Sequence, residues 1–192
     1  MSFVTNSLYI AQSLQIKTVA PDCFVCALNQ FLPTNTITCQ ACPTNSVVET
    51  QSKSEQCDCA TGYTGNHDTC AACGVGTYKP ETGSGTCTAC GAGKYNGNRA
   101  SVAESACEIC TGNSWSAAGA GACTDCHANS EAEDGSDEAD DCKCSAGYDG
   151  TTTAGTCTQC AEGHWKSEVA NTGCSACGAG KYNGNRASVA ES

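Results

Sequence analysis

The 192-residue chain carries 20 cysteines and a net charge of −11, with only nine lysines and arginines scattered singly along it. Cysteine above a tenth of the residues marks a disulfide scaffold, and so few basic groups exclude a nucleic-acid partner, whose phosphates they could not neutralise. Large aliphatic residues are scarce and methionine occurs once, so no sizeable core offsets the roughly 1–2 kcal/mol of backbone entropy that each ordered residue costs; cross-links must stand in for it, which places the chain in an oxidising, extracellular or cell-surface setting.

Residues 1–22 contain no cysteine, and Leu8, Ile10, Leu14 and Ile16 alternate onto one face of a predicted strand. That strand is a candidate for assembly, added to the sheet edge of a neighbouring subunit. The stretch lacks a basic leader region, and Gln12, Ser13 and Gln15 interrupt its apolar residues, so it is not read as a signal peptide; the export signal is expected outside these 192 residues. No apolar run approaches the roughly 20 residues of a spanning helix, which predicts no membrane insertion.

From Cys23 onward the chain repeats. CGAGKYNGNRASVAES runs from Cys90 to Ser105 and again from Cys177 to Ser192, and the cysteine spacing of residues 23–106 recurs in 107–192. Two super-repeats are therefore predicted, the second expected to be cut where its next cysteine doublet falls due. Each holds five doublets, four C-x2-C and one C-x-C.

One aromatic follows most doublets at a fixed distance: Phe31, Tyr78, Tyr95, Trp115, Trp165 and Tyr182 at five residues, and Tyr63 and Tyr148 at four after the C-x-C pairs. A ring packed on its own disulfide is predicted to give each module a miniature core. Val47 and Glu131 break the pattern, so their two loops are expected to fold differently. Glycines flank the tyrosines in CATGYTG and CSAGYDG, where short loops need tight turns. The fold class expected is small disulfide-rich β: an elongated rod of tandem cysteine-rich modules with short two-stranded ribbons and little helix.

Cys73 to Cys90, CGVGTYKPETGSGTCTAC, resembles the ephrin-receptor-like cysteine-rich repeat, itself similar to tumour-necrosis-factor-receptor modules. Cys57 to Cys70, CDCATGYTGNHDTC, resembles the C-terminal half of an EGF-like module. Such mixtures occur in large surface proteins of algae and other protists, flagellar-hair (mastigoneme) proteins among them, where the resemblance implies rods and fibres.

Two connectivities are open. Doublets could pair off as closed couples, but five per super-repeat is odd, so equivalent residues would need different folds. A ladder keeps the symmetry, linking Cys26 to Cys39, Cys42 to Cys57, Cys59 to Cys70, Cys73 to Cys87, Cys90 to Cys107, Cys110 to Cys123, Cys126 to Cys142, Cys144 to Cys157 and Cys160 to Cys174. Each closed loop of about 15 residues then contributes about 3 kcal/mol on the chain-entropy account. Cys23 and Cys177 are left open-ended, to pair with a continuing array or with each other between subunits, head to tail.

Other chemistries fit less well. Zinc knuckles use doublets in couples, against the odd count, and ten doublets in turn-rich sequence do not resemble a single redox C-x-x-C. His67, His127 and His164 sit at unrelated loop positions and are read as solvated, so no nucleophile has a matched base; no enzyme is predicted. Glu131, Glu133, Asp134, Asp137, Glu138, Asp140 and Asp141 form one acidic run with no EF-hand spacing, read as a solvated loop before a calcium site. No cofactor is otherwise expected. N-x-[ST] is absent, while Ser and Thr are about a fifth of the chain, with Thr151, Thr152 and Thr153 in a row, so O-linked glycans are the modification considered. The function expected is a self-associating structural subunit of a fibre or surface appendage. Its rival is the stalk or ligand-binding ectodomain of a receptor or adhesin.

Overall fold

The computed structural model describes residues 26–48, 56–67, 69–150 and 156–190. The predicted assembly strand and Cys23 lie outside them.

Among the described residues, nine antiparallel ribbons follow one another along the chain. β1 (Gln30–Phe31) pairs with β2 (Gln40–Ala41), β3 (Ser46–Val47) with β4 (Asp58–Cys59), and β5 (Tyr63–Asn66) with β6 (Thr69–Ala72). β7 (Thr77–Tyr78) pairs with β8 (Thr88–Ala89), β9 (Lys94–Tyr95) with β10 (Glu108–Ile109), and β11 (Ser114–Trp115) with β12 (Thr124–Asp125). β13 (Ser130–Glu131), β15 (Tyr148–Asp149) and β17 (His164–Trp165) pair with β14 (Lys143–Cys144), β16 (Thr158–Gln159) and β18 (Ser175–Ala176). Helix among the described residues is limited to two 3-10 turns, Glu104–Ala106 and Ala139–Asp141, leading into Cys107 and Cys142. This is the small disulfide-rich β class of tandem modules.

A local rule starts each ribbon. The third residue after the second cysteine of every doublet, from Asn29 through Asn45, Gly62, Gly76, Gly93, Asn113, Asn129, Gly147 and Gly163 to Gly180, has positive φ. Only glycine and asparagine occupy it, because other side chains are strained there. The tight turn it makes is closed by amides such as Tyr63 to Ala60 O (3.0 Å) and Tyr148 to Ser145 O (3.1 Å). At four turns a hydroxyl donates to the carbonyl three residues back: Ser46 to Pro43 (2.7 Å), where the Ser46 amide also reaches that oxygen (3.2 Å), Thr77 to Gly74 (2.8 Å), Ser114 to Thr111 (2.8 Å) and Ser130 to His127 (2.6 Å). The returning strand is then fixed by an amide from the next doublet, as Cys90 to Gly76 O and Cys160 to Gly147 O (2.8 and 2.9 Å).

Because this turn depends on backbone conformation and not on a ring, the loops with Val47 and Glu131 form the same ribbons as the rest, contrary to expectation. Nine disulfides lie in sequential order: Cys26–Cys39, Cys42–Cys57, Cys59–Cys70, Cys73–Cys87, Cys90–Cys107, Cys110–Cys123, Cys126–Cys142, Cys144–Cys157 and Cys160–Cys174. Each of the eight doublets from Cys39 and Cys42 to Cys157 and Cys160 thus belongs to two loops. Cys177 is a free, half-buried thiol.

The buried centres are not aromatic. Apart from Leu32 and Val48, the apolar residues buried among those described are cysteines. Phe31, Tyr63, Tyr78, Tyr95, Trp115, Tyr148 and Trp165 are half-buried strand residues, and Tyr182 is 75% exposed. A two-residue strand has one side chain to spare for each face, and the face that closes completely receives a different residue.

Candidate functional site

That residue is the one after the ring. Lys79, Asn96, Ser116, Lys166 and Asn183 follow Tyr78, Tyr95, Trp115, Trp165 and Tyr182, and all five are buried, from 1% exposed at Asn96 and Ser116 to 5% at Lys166. Buried polar groups cost free energy unless hydrogen-bonded; Asn183 bonds within its own loop, to Ala190 O and the Asn185 amide, and the side chains of the other four are bonded across the seam between modules. Ser116 Oγ donates to Lys94 O (2.9 Å); Asn96 Nδ2 donates to Thr77 O (3.2 Å) and Ser101 Oγ (2.8 Å). Lys79 Nζ donates to Tyr63 O (2.9 Å) and Gly83 O (2.7 Å). Lys166 Nζ sits among the carbonyls of Tyr148 (2.8 Å), Cys144 (3.3 Å) and Ala170. The side chain lengthens from serine to asparagine to lysine, and in each case one acceptor lies in the first strand of the preceding ribbon.

The backbone repeats the same seam. The amide of the positive-φ glycine donates to the carbonyl of the seam residue in the next module, Gly62 to Lys79 (2.9 Å), Gly76 to Asn96 (2.7 Å), Gly93 to Ser116 (2.8 Å) and Gly147 to Lys166 (2.8 Å). The seam residue's own amide reaches one loop further, Lys79 to Ser101, Asn96 to Ala120 and Ser116 to Ser136 (3.0 to 3.1 Å). That loop sends an amide back to a cysteine carbonyl, as Ala100 to Cys73 and Gly119 to Cys90 (3.0 and 2.9 Å). Three consecutive modules are therefore tied at each seam.

A family model described as tyrosine-protein kinase ephrin type A/B receptor-like matches residues 61–107. No curated protein matches the chain. The ephrin-receptor-like stretch contains the seams of Lys79 and Asn96, and its cystines are Cys73–Cys87 and Cys90–Cys107. Such a module together with a ladder of disulfides points to an extracellular or surface location and to a non-catalytic ectodomain module. No described helix is long and apolar enough to cross a membrane.

Side chains weighed for chemistry are engaged locally. His67 Nδ1 lies 2.9 Å from Cys57 O and 3.7 Å from Asp58 Oδ1. His127 is not fully solvated: its Nδ1 is buried without a hydrogen-bond partner, beside a cavity of about 250 Å³ shared with Asp140 and Asn171, and the cysteines lining that cavity are all disulfide-bonded. The acidic run turns onto its own backbone, Asp141 Oδ2 accepting the amides of Asp137 (2.9 Å) and Glu138 (3.4 Å). Among the described residues no three His, Cys, Asp or Glu side chains converge as a metal site. Near the end of the ephrin-receptor-like stretch, Tyr95 donates to Glu108 just beyond it, 2.9 Å away, and this hydrogen bond, with the carboxylate's charge, raises the phenol above its ordinary range.

Sequence reasoning missed the seam residues because a buried lysine or asparagine carries no apolar signal. The available clue was position, immediately after each ring. Removing the shortest of them isolates one bond: Ser116→Ala is expected to cost about 1 kcal/mol, read as roughly fivefold faster hydrogen exchange at the Gly93 and Ser116 amides. Unchanged exchange at both would show that the hydroxyl does not hold the seam.

Proposed function

We propose that this chain is an extracellular structural subunit, a disulfide-laddered rod that self-associates into a fibre or surface appendage. The observation that carries this reading is the seam. The same backbone bonds recur from one module to the next, so stability accrues by continuation, as in other repeat arrays whose neighbours contribute additively. A surface built this way suits end-to-end growth, and the free Cys177 is a candidate for linking subunits. The reading is tested by imaging the purified, oxidised full chain by negative-stain electron microscopy across a concentration series. Filaments of uniform width are the expected result; a monomer at every concentration counts against the fibre.

The ephrin-receptor-like match supports a second reading, the stalk or ligand-binding ectodomain of a receptor or adhesin. A chain that stays monomeric yet saturably decorates cells would favour it. Loop serines and threonines are proposed as carriers of O-linked glycans, and intact mass of the secreted chain is expected to show hexose additions; their absence removes the glycoprotein part of the proposal.

A further inference from the structure

We propose that the chain is a tension-bearing tether of fixed length, in which the ladder takes a pulling force through the disulfides and keeps the loops off the force path. The argument rests on connectivity alone and stands whether or not the chain forms fibres. In the ladder one cysteine of each inner doublet closes the loop before it and the other closes the loop after it, across separations of 11 residues at Cys59–Cys70 to 17 at Cys90–Cys107. Between Cys26 and Cys177, about five sixths of the backbone therefore lies inside closed loops, leaving about 25 residue steps on the force path.

Each rung spans only 5.4 to 5.8 Å between Cα atoms. At about 3.5 Å per extended step the oxidised span from Cys26 to Cys177 reaches about 140 Å, against about 530 Å for the same span without rungs. Force would break the seam hydrogen bonds, but it could not draw out a loop while its disulfide holds. The ribbons and turns inside the loops, together with anything those loops carry on their surface, would be shielded from load. A chain held by hydrophobic packing alone lacks this property, since each module that unfolds lengthens it.

Single-molecule pulling on the full chain through terminal peptide tags, with free thiols blocked, tests this. The oxidised chain is expected to stop lengthening at about 280 Å and the reduced, alkylated chain at about 670 Å, the two ends adding equally to both. Doublets paired as closed couples, Cys23 with Cys39 and Cys26 with Cys42 and so on along the chain, would put alternate loops on the force path and give a limit about 120 Å longer than the ladder's, which would overturn the proposal. So would an oxidised chain that steps out to the reduced limit. Two rung deletions supply the finer check. Cys59→Ser with Cys70→Ser is expected to add about 33 Å to the oxidised limit, and Cys90→Ser with Cys107→Ser about 54 Å, because the released lengths follow the loop separations. Equal increments, or none, would also overturn it. Failure to form fibres bears on the preceding subsection and leaves these lengths unchanged.

Discussion

Replacing Gly76 by alanine is expected to destabilise its seam by about 3 kcal/mol, the sum of a left-handed backbone and a backbone overlap. Gly76 has φ +73, and a Cβ built there would overlap the carbonyl oxygen of Gly119 and approach Ala120 C to 2.9 Å. Neither neighbour is a side chain that could rotate away. Gly119 is held in turn by its amide bond to Cys90 O (2.9 Å), and Asn96 by its amide bond to Ala120 O (3.1 Å). Relief therefore requires opening the contact between modules. Gly163 supplies the control, because its φ is +75 but nothing lies within 4 Å of a built Cβ. Gly163→Ala is expected to cost only the conformational part, about 1 kcal/mol. Hydrogen exchange at the Asn96 and Gly119 amides, supported by denaturant unfolding without reductant, would measure the difference. Equal effects at the two glycines would mean that close approach does not tie the modules.

The second large effect is expected at Lys166. Lys166→Met keeps much of the aliphatic length and removes the donor, leaving the carbonyls of Tyr148, Cys144 and Ala170 without it. Unsatisfied buried acceptors cost about 1–3 kcal/mol each unless water reaches them, so a loss of about 3 kcal/mol is expected. Lys79→Met, which deprives two carbonyls, should lose less.

The ammonium also predicts a pH dependence. Burial pulls the Lys166 pKa below its ordinary 10.5, with the charges of Asp149 and Glu168 opposing. The unfolded chain thus keeps this proton to higher pH than the folded one. Wherever the unfolded state binds more protons, stability rises with pH. Stability at this seam should therefore climb as pH rises through the folded value toward 10.5 and then level off. Unfolding of the wild type and of Lys166→Met, with free thiols alkylated, would reveal the rising component only in the wild type. A parallel dependence in both would assign it to another group.

The ribbons and their cross-links were legible in the cysteines. Doublet spacing placed the loops, and the odd number of doublets per super-repeat favoured linking each doublet to both neighbours over closed couples. The ring position was legible too, since Phe31, Tyr78, Tyr95, Trp115 and Trp165 stand in the first strands of their ribbons. The role given to those rings was not. Rings look like core on hydrophobicity, whereas a ribbon two residues long cannot enclose one, and Tyr182 stands 75% exposed. The turn rule was present throughout, in CALN, CPTN, CATG, CGVG and CGAG, as a glycine or asparagine three residues after each doublet. It is easily passed over, because asparagine and glycine look unrelated until both are found at positive φ.

By itself the sequence determined what is local: an oxidising setting, a cross-linked β class, loop lengths, and turns that only glycine or asparagine can make. Those follow from chain entropy, thiol chemistry and backbone sterics, which act within a few residues. Tertiary structure alone decided what closes the space between modules, because a lysine, an asparagine or a serine is stable there only where a preceding strand presents its carbonyls. That pairing joins residues 16 to 22 positions apart, from Lys79 and Tyr63 to Ser116 and Lys94. Neither residue of such a pair marks the other, so the seam exists only once the ribbons have stacked.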